Sequence, residues 1–205
     1  MDYTLATYKS PQYEDLAFRI LRDRLIEIGY PTKLAHFDYE PSFPARGLWF
    51  DTLYGTMLKI DHFGSILMCL RGFNTISHAE ICELYPNKFL KYDESRIKIM
   101  STLFDLPKLH LLACIVHMFQ NNSEFKKENN GVRLGSLYMS YKSVYEDVDE
   151  VTDWMHRGEL KRQTVANLDY YVEQNPETLL LLDNNRSAEM LTKLLFTMSF
   201  LIVPS

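Results

Sequence analysis

Apolar residues recur at helical spacing near the start of the chain. Within residues 12–28 they fall three and four positions apart, at Leu16, Ala17, Ile20, Leu21, Leu25 and Ile28. Gly29 and Pro31 follow. Both residues commonly end helices, because glycine readily adopts positive φ and proline has no backbone N–H. The pattern predicts a helix over residues 12–28.

The pattern changes after residues 39–47, a segment with two prolines and a glycine that predicts a loop. Three short runs of apolar, β-branched and aromatic residues come next, and glycine-containing turns separate them. Short runs divided by turns are typical of an antiparallel meander. The sequence therefore predicts strands in residues 48–53, 57–60 and 65–70.

Helical spacing returns from His78 onward. It predicts helices over residues 78–84, 93–103, 107–119, 137–156 and 159–172, with a break at Gly158. The polar segment 121–135 contains Asn129-Asn130-Gly131 and predicts a mobile loop, and residues 193–196 predict a buried strand. This mixture of strands and helices favours an α/β core with a large, mainly helical insertion.

Composition narrows the class of protein. The 205 residues are 46% hydrophobic and 24% charged, which is ordinary for a globular chain that can bury a core. The net charge of −5 argues against a nucleic-acid partner, because no basic surplus neutralises phosphates. Cys69, Cys82 and Cys114 form no C-x-x-C pair, which favours free thiols in a reducing compartment.

Neither end of the chain carries a recognisable targeting pattern. Residues 1–10 have no basic and apolar signal pattern. The longest apolar run, residues 194–203, is far shorter than the roughly 20 residues that span a bilayer. We therefore expect a cytoplasmic protein without a membrane partner.

Few motifs in the sequence carry chemistry on their own. There is no phosphate-binding glycine loop, no G-x-S-x-G and no dinucleotide fingerprint. His110 and His117 lack partners at zinc-ligand spacing and are interpreted as ordinary helix residues. Asp2-Tyr3-Thr4 is a common pattern, but an acidic residue near the end of a first strand is where α/β folds place chemistry.

Longer blocks of the sequence resemble the motifs of a known protein family. Met1-Asp2-Tyr3-Thr4-Leu5-Ala6, followed by Tyr8-Lys9-Ser10-Pro11, resembles motif I of the cytosolic purine 5'-nucleotidases, which reads Asp-Met-Asp-Tyr-Thr. This family belongs to the haloacid-dehalogenase-like superfamily. Further similar blocks follow in the family's order, at residues 28–31, 46–55, 58–61, 85–89, 102–107, 137–141 and 153–156. The resemblance covers about the first 190 residues.

The resemblance implies a fold and a division into domains. The fold is α/β, with a haloacid-dehalogenase-like (Rossmann-like) core that is incomplete here, a large mainly helical cap insertion and a small antiparallel β meander. Residues 1–30 would be the start of the hydrolase core, and residues 31–190 the insertion. Residues 191–205 would be a partial, truncated motif II strand.

The resemblance also implies a mechanism. In this family the first motif I aspartate attacks phosphorus and forms an aspartyl-phosphate. The second aspartate, which Asp2 matches, protonates the leaving oxygen and then activates water. The position of the nucleophile falls before Met1. Magnesium is the implied cofactor, and the backbone carbonyl of Asp2 is the ligand that this sequence supplies.

The implied substrate is a purine nucleoside monophosphate of the IMP and GMP class. Phe104 matches an aromatic residue that packs near the purine, Asp153 an acidic residue that hydrogen-bonds the base, and His156 a histidine beside it. Lys161 matches a substrate-binding lysine if one residue is deleted near Gly158. We expect these side chains to converge on one concavity with Asp2 at its floor.

Three further sets of positions align with functional positions of the family: motif II, an effector site and two positions near the base. In motif II, Thr197 and Ser199 match the residues that grip phosphate, but Met198 replaces an asparagine. Lys91 and Ser101 align with an effector site for purine nucleotides, where arginine and asparagine are usual; lysine loses the bidentate fork of arginine. Asp149 stands in place of a base-contacting arginine, and Arg157 in place of a tyrosine.

Alternatives remain open at this point. Asp149, Asp153, His156 and Arg157 also have the spacing of a solvated helix face. The sequence lacks the nucleophile and motifs III and IV, so we expect this chain to be inactive as a purine 5'-nucleotidase. It could instead be a non-catalytic nucleotide-binding or subunit-docking member of the family, or an incomplete gene model. The family forms homotetramers, so a homo-oligomer is also implied.

Overall fold

A computed structural model describes residues 6–43 and 46–174 of the chain. The helices are α1 (Gln12–Glu27), α2 (His78–Leu84), α3 (Asp105–Asn121), α4 (Tyr141–Trp154), α5 (Leu160–Ala166) and α6 (Leu168–Tyr171). The first strands are β1 (Ala6–Tyr8), β2 (Leu48–Asp51), β3 (Thr56–Ile60), β4 (Ile66–Arg71) and β5 (Asn74–Thr75). The later ones are β6 (Ile97–Met100), β7 (Lys126–Glu128), β8 (Gly131–Leu134), β9 (Leu137–Ser140) and β10 (Val172–Gln174). The strand predicted at residues 193–196 lies outside the described residues.

Helix α1 confirms the first prediction from the sequence. Its apolar stripe is buried and packs against α3 and α4. The helix stops where Gly29 adopts a φ of +116° and the N–H of Tyr30 turns back to the carbonyl of Leu25 at 3.0 Å. Glycine reaches this conformation without a steric cost, so the end of the helix is set by the sequence.

The predicted meander is confirmed and forms the middle of a larger sheet. Strands β2, β3 and β4 pair antiparallel, and the full order is β5-β4-β3-β2-β6. Phe50, Met57 and Leu70 lie side by side on the face that packs toward α3. Leu58 and Cys69 occupy the opposite face, which packs toward α2. Both faces of this sheet are therefore covered.

The helix predicted over residues 93–103 is wrong, because this segment contributes strand β6. Asp93 caps a turn by accepting hydrogen bonds from the backbone N–H and hydroxyl of Ser95. Ile97 and Met100 are buried, and the strand pairs antiparallel with β2. A short apolar run does not distinguish helix from strand by its period alone. The segment forms a strand because it pairs with the edge of β2.

The mobile loop predicted over residues 121–135 is also wrong. Strand β7 pairs with β8, and β8 with β9, in a three-stranded antiparallel sheet. Glu128 faces Gly131, so Asn129 and Asn130 form a two-residue hairpin turn. The segment does contain the turn that its asparagines and glycine predict, but this turn connects two strands instead of lying in a loop.

The helices predicted over residues 137–156 and 159–172 are only partly right. Residues 137–140 form β9, and α4 begins after Ser140, whose hydroxyl accepts the N–H of Ser143 at 3.0 Å. The wider helical turn Met155–Glu159 follows, with a kink at Gly158 as predicted. Beyond it the chain forms two short helices, α5 and α6, instead of one.

The mixed α/β class is confirmed, but its composition differs from the prediction. The residues predicted to form the insertion contain helices α2 to α6 together with the five-stranded and three-stranded sheets, so the β structure is larger than the small meander that was predicted. Strand β1 pairs with β10 in a two-stranded sheet, and all strand pairs of the described residues are antiparallel. The hydrolase core, the cap and the domain boundaries remain predictions. No helix in the described segments has the length and apolar character of a membrane span.

A buried ionic network joins strands β2 and β6. Asp51 is fully buried, and Arg96 donates to both its carboxylate oxygens at 2.8 and 2.6 Å. The hydroxyl of Tyr85 donates to the same carboxylate at 2.6 Å, and its own oxygen lies 2.6 Å from the hydroxyl of Thr56. The hydrogen bonds that the guanidinium of Arg96 donates to Asp51 raise the pKa of Arg96, so the guanidinium stays charged. The hydrogen bond from Tyr85, the residue after α2, ties the end of that helix to the sheet.

A second buried polar group lies in α3. The imidazole of His110 is 2% exposed, and its Nδ1 atom has no hydrogen-bond partner among the described residues. Four aromatic rings surround it, with centroids 5.0–5.7 Å away: Phe18, Tyr39, Phe43 and Phe73. Burial lowers the pKa of His110 to about 4, against a small opposing effect of Glu40. The core therefore encloses a neutral histidine.

The network predicts a large effect of Asp51→Asn on stability. The substitution leaves the guanidinium of Arg96 without its carboxylate, and we expect the free energy of unfolding to fall by about 3 kcal/mol. Asp15→Asn is the matched control, because Asp15 pairs with Arg19 on the surface and should cost less than about 1 kcal/mol. Urea unfolding measures both. Equal losses for the two variants would contradict this account.

The enclosed histidine predicts a pH dependence. The unfolded chain takes up a proton near pH 6.5, whereas folded His110 does so only near pH 4. Stability contributed by the neutral form is therefore present above pH 6.5 and lost as the pH falls toward 4. Between pH 8 and pH 5 this group should reduce the free energy of unfolding by about 2 kcal/mol.

The comparison of two variants isolates this contribution. His110→Leu should lose that part of the pH dependence in urea unfolding at the two pH values. His36→Leu, at an exposed position, should retain it. A His110→Leu variant with the same pH dependence as the parent chain would disprove the assignment.

Candidate functional site

A small cavity lies where the N-terminal end of α3 meets the bend between α4 and α5. Its walls come from the first turn of α1, the residues that open α3, and the wider turn after α4. Its lining includes Tyr13, Glu14, Phe104, Pro107, Met155 and His156. Its volume is about 20 Å³, which is room for about one water molecule.

Aromatic rings form one side of this cavity. Tyr8, the last residue of β1, stacks on Tyr13 with centroids 4.1 Å apart and meets Phe104 edge-to-face at 6.0 Å. Phe104 is 38% exposed, so part of its ring is open to solvent. An aromatic face that is partly open can stack on another flat ring.

The position of Phe104 is set by a cap. Asp105, the first residue of α3, accepts hydrogen bonds from the N–H and the hydroxyl of Thr102, both at 2.8 Å. These bonds hold the turn that precedes the helix and place Phe104 directly before it. The local sequence Thr-x-x-Asp thus fixes the aromatic wall.

The structure brings together two of the residues predicted from the sequence. Phe104 and His156 are 52 residues apart in the sequence but line the same cavity. His156 belongs to the wider turn after α4, whereas Asp153 belongs to the regular helix and is exposed. Neither Asp153 nor Lys161 lines the cavity. Whether the four side chains bind one ligand remains a prediction.

The other predicted site residues fall elsewhere. Asp2, Thr197 and Ser199 lie outside the described residues. Lys91 and Ser101 are both exposed and lie on either side of strand β6. Within residues 6–43 and 46–174, no three His, Cys, Asp or Glu side chains gather to hold a metal ion. The magnesium ligand that the resemblance assigns to this sequence, the backbone carbonyl of Asp2, lies outside these residues.

Asp149 has a partner that the sequence did not reveal. Lys108 of α3 makes an ion pair with Asp149, although the lysine side chain is 7% exposed and the aspartate 52%. The ammonium also lies 4.5 Å from the ring centre of Tyr145 and 3.2 Å from its hydroxyl. Asp149 thus pairs across the helix interface while about half of its side chain stays exposed. The sequence carries no local signal for this pair, because its partners lie 41 residues apart on two different helices.

Glu14 is a second residue that the sequence did not single out. It lies in the first turn of α1, is 8% exposed and lines the cavity with Phe104 and His156. Its Oε2 atom is buried and has no hydrogen-bond partner in the described part of the chain. An acidic residue in a first helical turn is so common that the sequence alone gives no reason to select it.

Comparisons with known proteins place the chain in a family. The profile of the 5' nucleotidase family matches residues 1–200. Human 5'-nucleotidase domain-containing protein 2 is 29% identical over 194 residues, which cover 88% of this chain and 35% of that protein. A 5'-nucleotidase domain-containing protein of Dictyostelium discoideum is 28% identical over 181 residues, 85% of this chain and 28% of that protein.

This chain belongs to the 5'-nucleotidase family. The resemblance seen in the sequence is therefore confirmed at the level of the family. The chain spans about a third of the length of the curated relatives it matches.

The ion pair beside the cavity predicts an asymmetry. Asp149→Asn leaves a buried ammonium without its carboxylate, whereas Lys108→Met leaves an aspartate that is half exposed to water. We therefore expect Asp149→Asn to cost about 2 kcal/mol of unfolding free energy and Lys108→Met to cost less. The double variant should recover part of the loss.

Urea unfolding of the three variants tests this prediction. Asp153→Asn, one turn further along the exposed side of α4, is the control and should leave the midpoint nearly unchanged. A larger loss for Lys108→Met than for Asp149→Asn would show that the lysine is not the enclosed partner.

Proposed function

We propose that this chain supplies the purine-binding part of a phosphomonoester hydrolase that acts on nucleoside 5'-monophosphates of the IMP and GMP class. One observation carries the proposal: Phe104 and His156, which resemble base-binding residues of the family, line one cavity. Family membership supports phosphate ester hydrolysis as the reaction.

The cavity suggests how a base would be held. The partly exposed ring of Phe104 offers a stacking surface, which is worth about 1–3 kcal/mol per base in proteins. His156 lines the same cavity, and its imidazole would provide the hydrogen-bonding group for the base. Because the cavity has room for about one water molecule, these two side chains must move apart to admit a base. Binding by induced fit is part of the proposal.

The chemistry of the proposed enzyme uses residues outside the described part of the chain. Asp2 would act as the general acid and base, and Thr197 and Ser199 would hold the phosphate. The cytosol, a homo-oligomer and a nucleotide effector site at Lys91 and Ser101 are further proposals from the resemblance. Magnesium is also a proposal from the resemblance, and the backbone carbonyl of Asp2 is the ligand that this sequence would supply.

Binding of IMP and GMP to the 205-residue chain tests the proposal. Calorimetric titration should show binding of both, and Phe104→Leu should weaken it about tenfold because stacking is lost. Phe63→Leu is the matched control: Phe63 is 73% exposed in a remote turn and should not affect binding. Equal affinity for CMP, or no effect of Phe104→Leu, would argue against a purine site.

Hydrolysis gives a separate test. The 205 residues contain no aspartate that matches the nucleophile, and loss of that group costs several orders of magnitude in rate. We expect this polypeptide to bind IMP without magnesium-dependent release of phosphate. Turnover above the buffer blank that Asp2→Asn abolishes would overturn the assignment of the missing nucleophile.

A further inference from the structure

Helix α2 presents a histidine and a cysteine next to each other on the side that faces solvent. His78 and Cys82 are four residues apart, about one helical turn, and both are exposed. The Nδ1 atom of His78 lies 3.6 Å from the Sγ atom of Cys82. Ile81 is buried against the sheet, so the opposite side of the helix carries this pair.

Cys82 is the one cysteine of the three that solvent can reach. Cys69 and Cys114 are buried, whereas Cys82 is exposed. Burial raises the pKa of both enclosed thiols to about 12, so they stay protonated and do not react as nucleophiles or metal ligands. Thiol chemistry in the folded chain is therefore confined to the neighbourhood of His78.

The separation of the two donor atoms matches that of two ligands on one metal ion. Tetrahedral zinc binds sulfur at about 2.3 Å and imidazole nitrogen at about 2.0–2.1 Å, and the tetrahedral angle then separates the two donors by about 3.6 Å. The Nδ1 and Sγ atoms on α2 have this separation. A weak S–H···N hydrogen bond has a similar length, and the experiments below distinguish the two.

The helix that carries the pair is fixed at both ends. The hydroxyl of Ser77 accepts the N–H of Glu80 at 3.3 Å, and Arg71 of β4 donates to the carboxylate of Glu80 at 2.6 Å. Beyond the other end, the hydroxyl of Tyr85 donates to buried Asp51. Because the backbone under both donors is already held, binding an ion requires little further ordering of the chain.

We propose that His78 and Cys82 form a two-residue chelate for zinc on the exposed side of α2. Thiolate sulfur and neutral imidazole nitrogen are ligands that suit this ion. On binding, the thiol proton passes to solvent, and the sulfur and the lone pair of Nδ1 each form one bond to zinc. Within residues 6–43 and 46–174, no third His, Cys, Asp or Glu side chain joins the pair, so water completes the coordination.

This site is separate from the proposed purine-binding cavity. Helix α2 packs on one face of the five-stranded sheet and α3 on the other, so an ion at α2 does not touch a base bound beside α3. The consequence of binding is local. Zinc covers the accessible thiol and makes its reactivity depend on the concentration of the ion.

Protection of the thiol tests the proposal on the 205-residue chain. A chromogenic aromatic disulfide should react with one cysteine per folded chain, because the other two are buried. Zinc chloride should slow this reaction about tenfold or more, because a metal-bound thiolate is not free to attack, and a chelator should restore it. His78→Gln should keep the reactivity without zinc but lose most of the protection. His36→Gln, at another exposed histidine, is the control and should keep the protection.

Cobalt(II) provides a spectroscopic measurement of the same site. Bound to thiolate in place of zinc, it shows a sulfur-to-metal charge-transfer band in the near ultraviolet. The band should appear with the parent chain and be absent from Cys82→Ser. Both substituted residues are exposed, so the thermal midpoints of the metal-free variants should match that of the parent.

Two results would overturn the inference. One is equal zinc protection of the parent chain and His78→Gln, which would show that the imidazole is not a ligand. The other is a cobalt titration of the parent chain without a charge-transfer band, which would leave the contact between the two side chains as a hydrogen bond.

Discussion

The enclosure of helix α3 is the constraint on which the rest of the described structure depends. Twelve of its 17 residues are buried, because α1 and α4 pack against it and one face of the five-stranded sheet shares its core. Each fully buried large apolar side chain contributes about 1.5–3 kcal/mol. No other helix of the described residues has so large a share of its residues buried. The cavity is located at the N-terminal end of α3.

Because α3 is enclosed, each buried polar side chain on α3 or on the elements packed against it shows how its surroundings reduce the cost of burial. Lys108 is buried, and its ammonium pairs with Asp149 and donates a hydrogen bond to the hydroxyl of Tyr145. His110 is buried and neutral inside a set of aromatic rings. In both cases the surroundings reduce the cost of burial, by pairing a charge or by removing it. Glu14 is the contrasting case, since its Oε2 atom has no hydrogen-bond partner within the described segments.

Secondary structure was predicted correctly from the sequence where the pattern of residues was compatible with only one kind of element. The long amphipathic stretch of α1, its glycine stop and the glycine-divided meander were predicted correctly, since period and turn chemistry agreed. Residues 97–100 and 126–134 were not, because short apolar or polar runs take the structure of the strand beside them. The strand β6 needed the free edge of β2, which is information that no local window contains.

The same distinction applies to the site. Phe104 and His156 were found because ordered blocks of sequence resembled a family, and the structure brought them to one cavity. Lys108 and Glu14 were missed because their significance comes from burial. A lysine four residues after an aromatic residue, or a glutamate in a first helical turn, is ordinary until the neighbouring helices enclose it.

Recognition and chemistry are separated along this chain in the proposed enzyme. The cavity is built between Tyr13 and Leu160, whereas Asp2, Thr197 and Ser199 fall outside the described residues. Met155, which lines the cavity, belongs to the same buried core as α3, so the shape of the cavity is linked to folding. The apolar packing that forms the cavity is thus part of the core that keeps the described part of the chain folded.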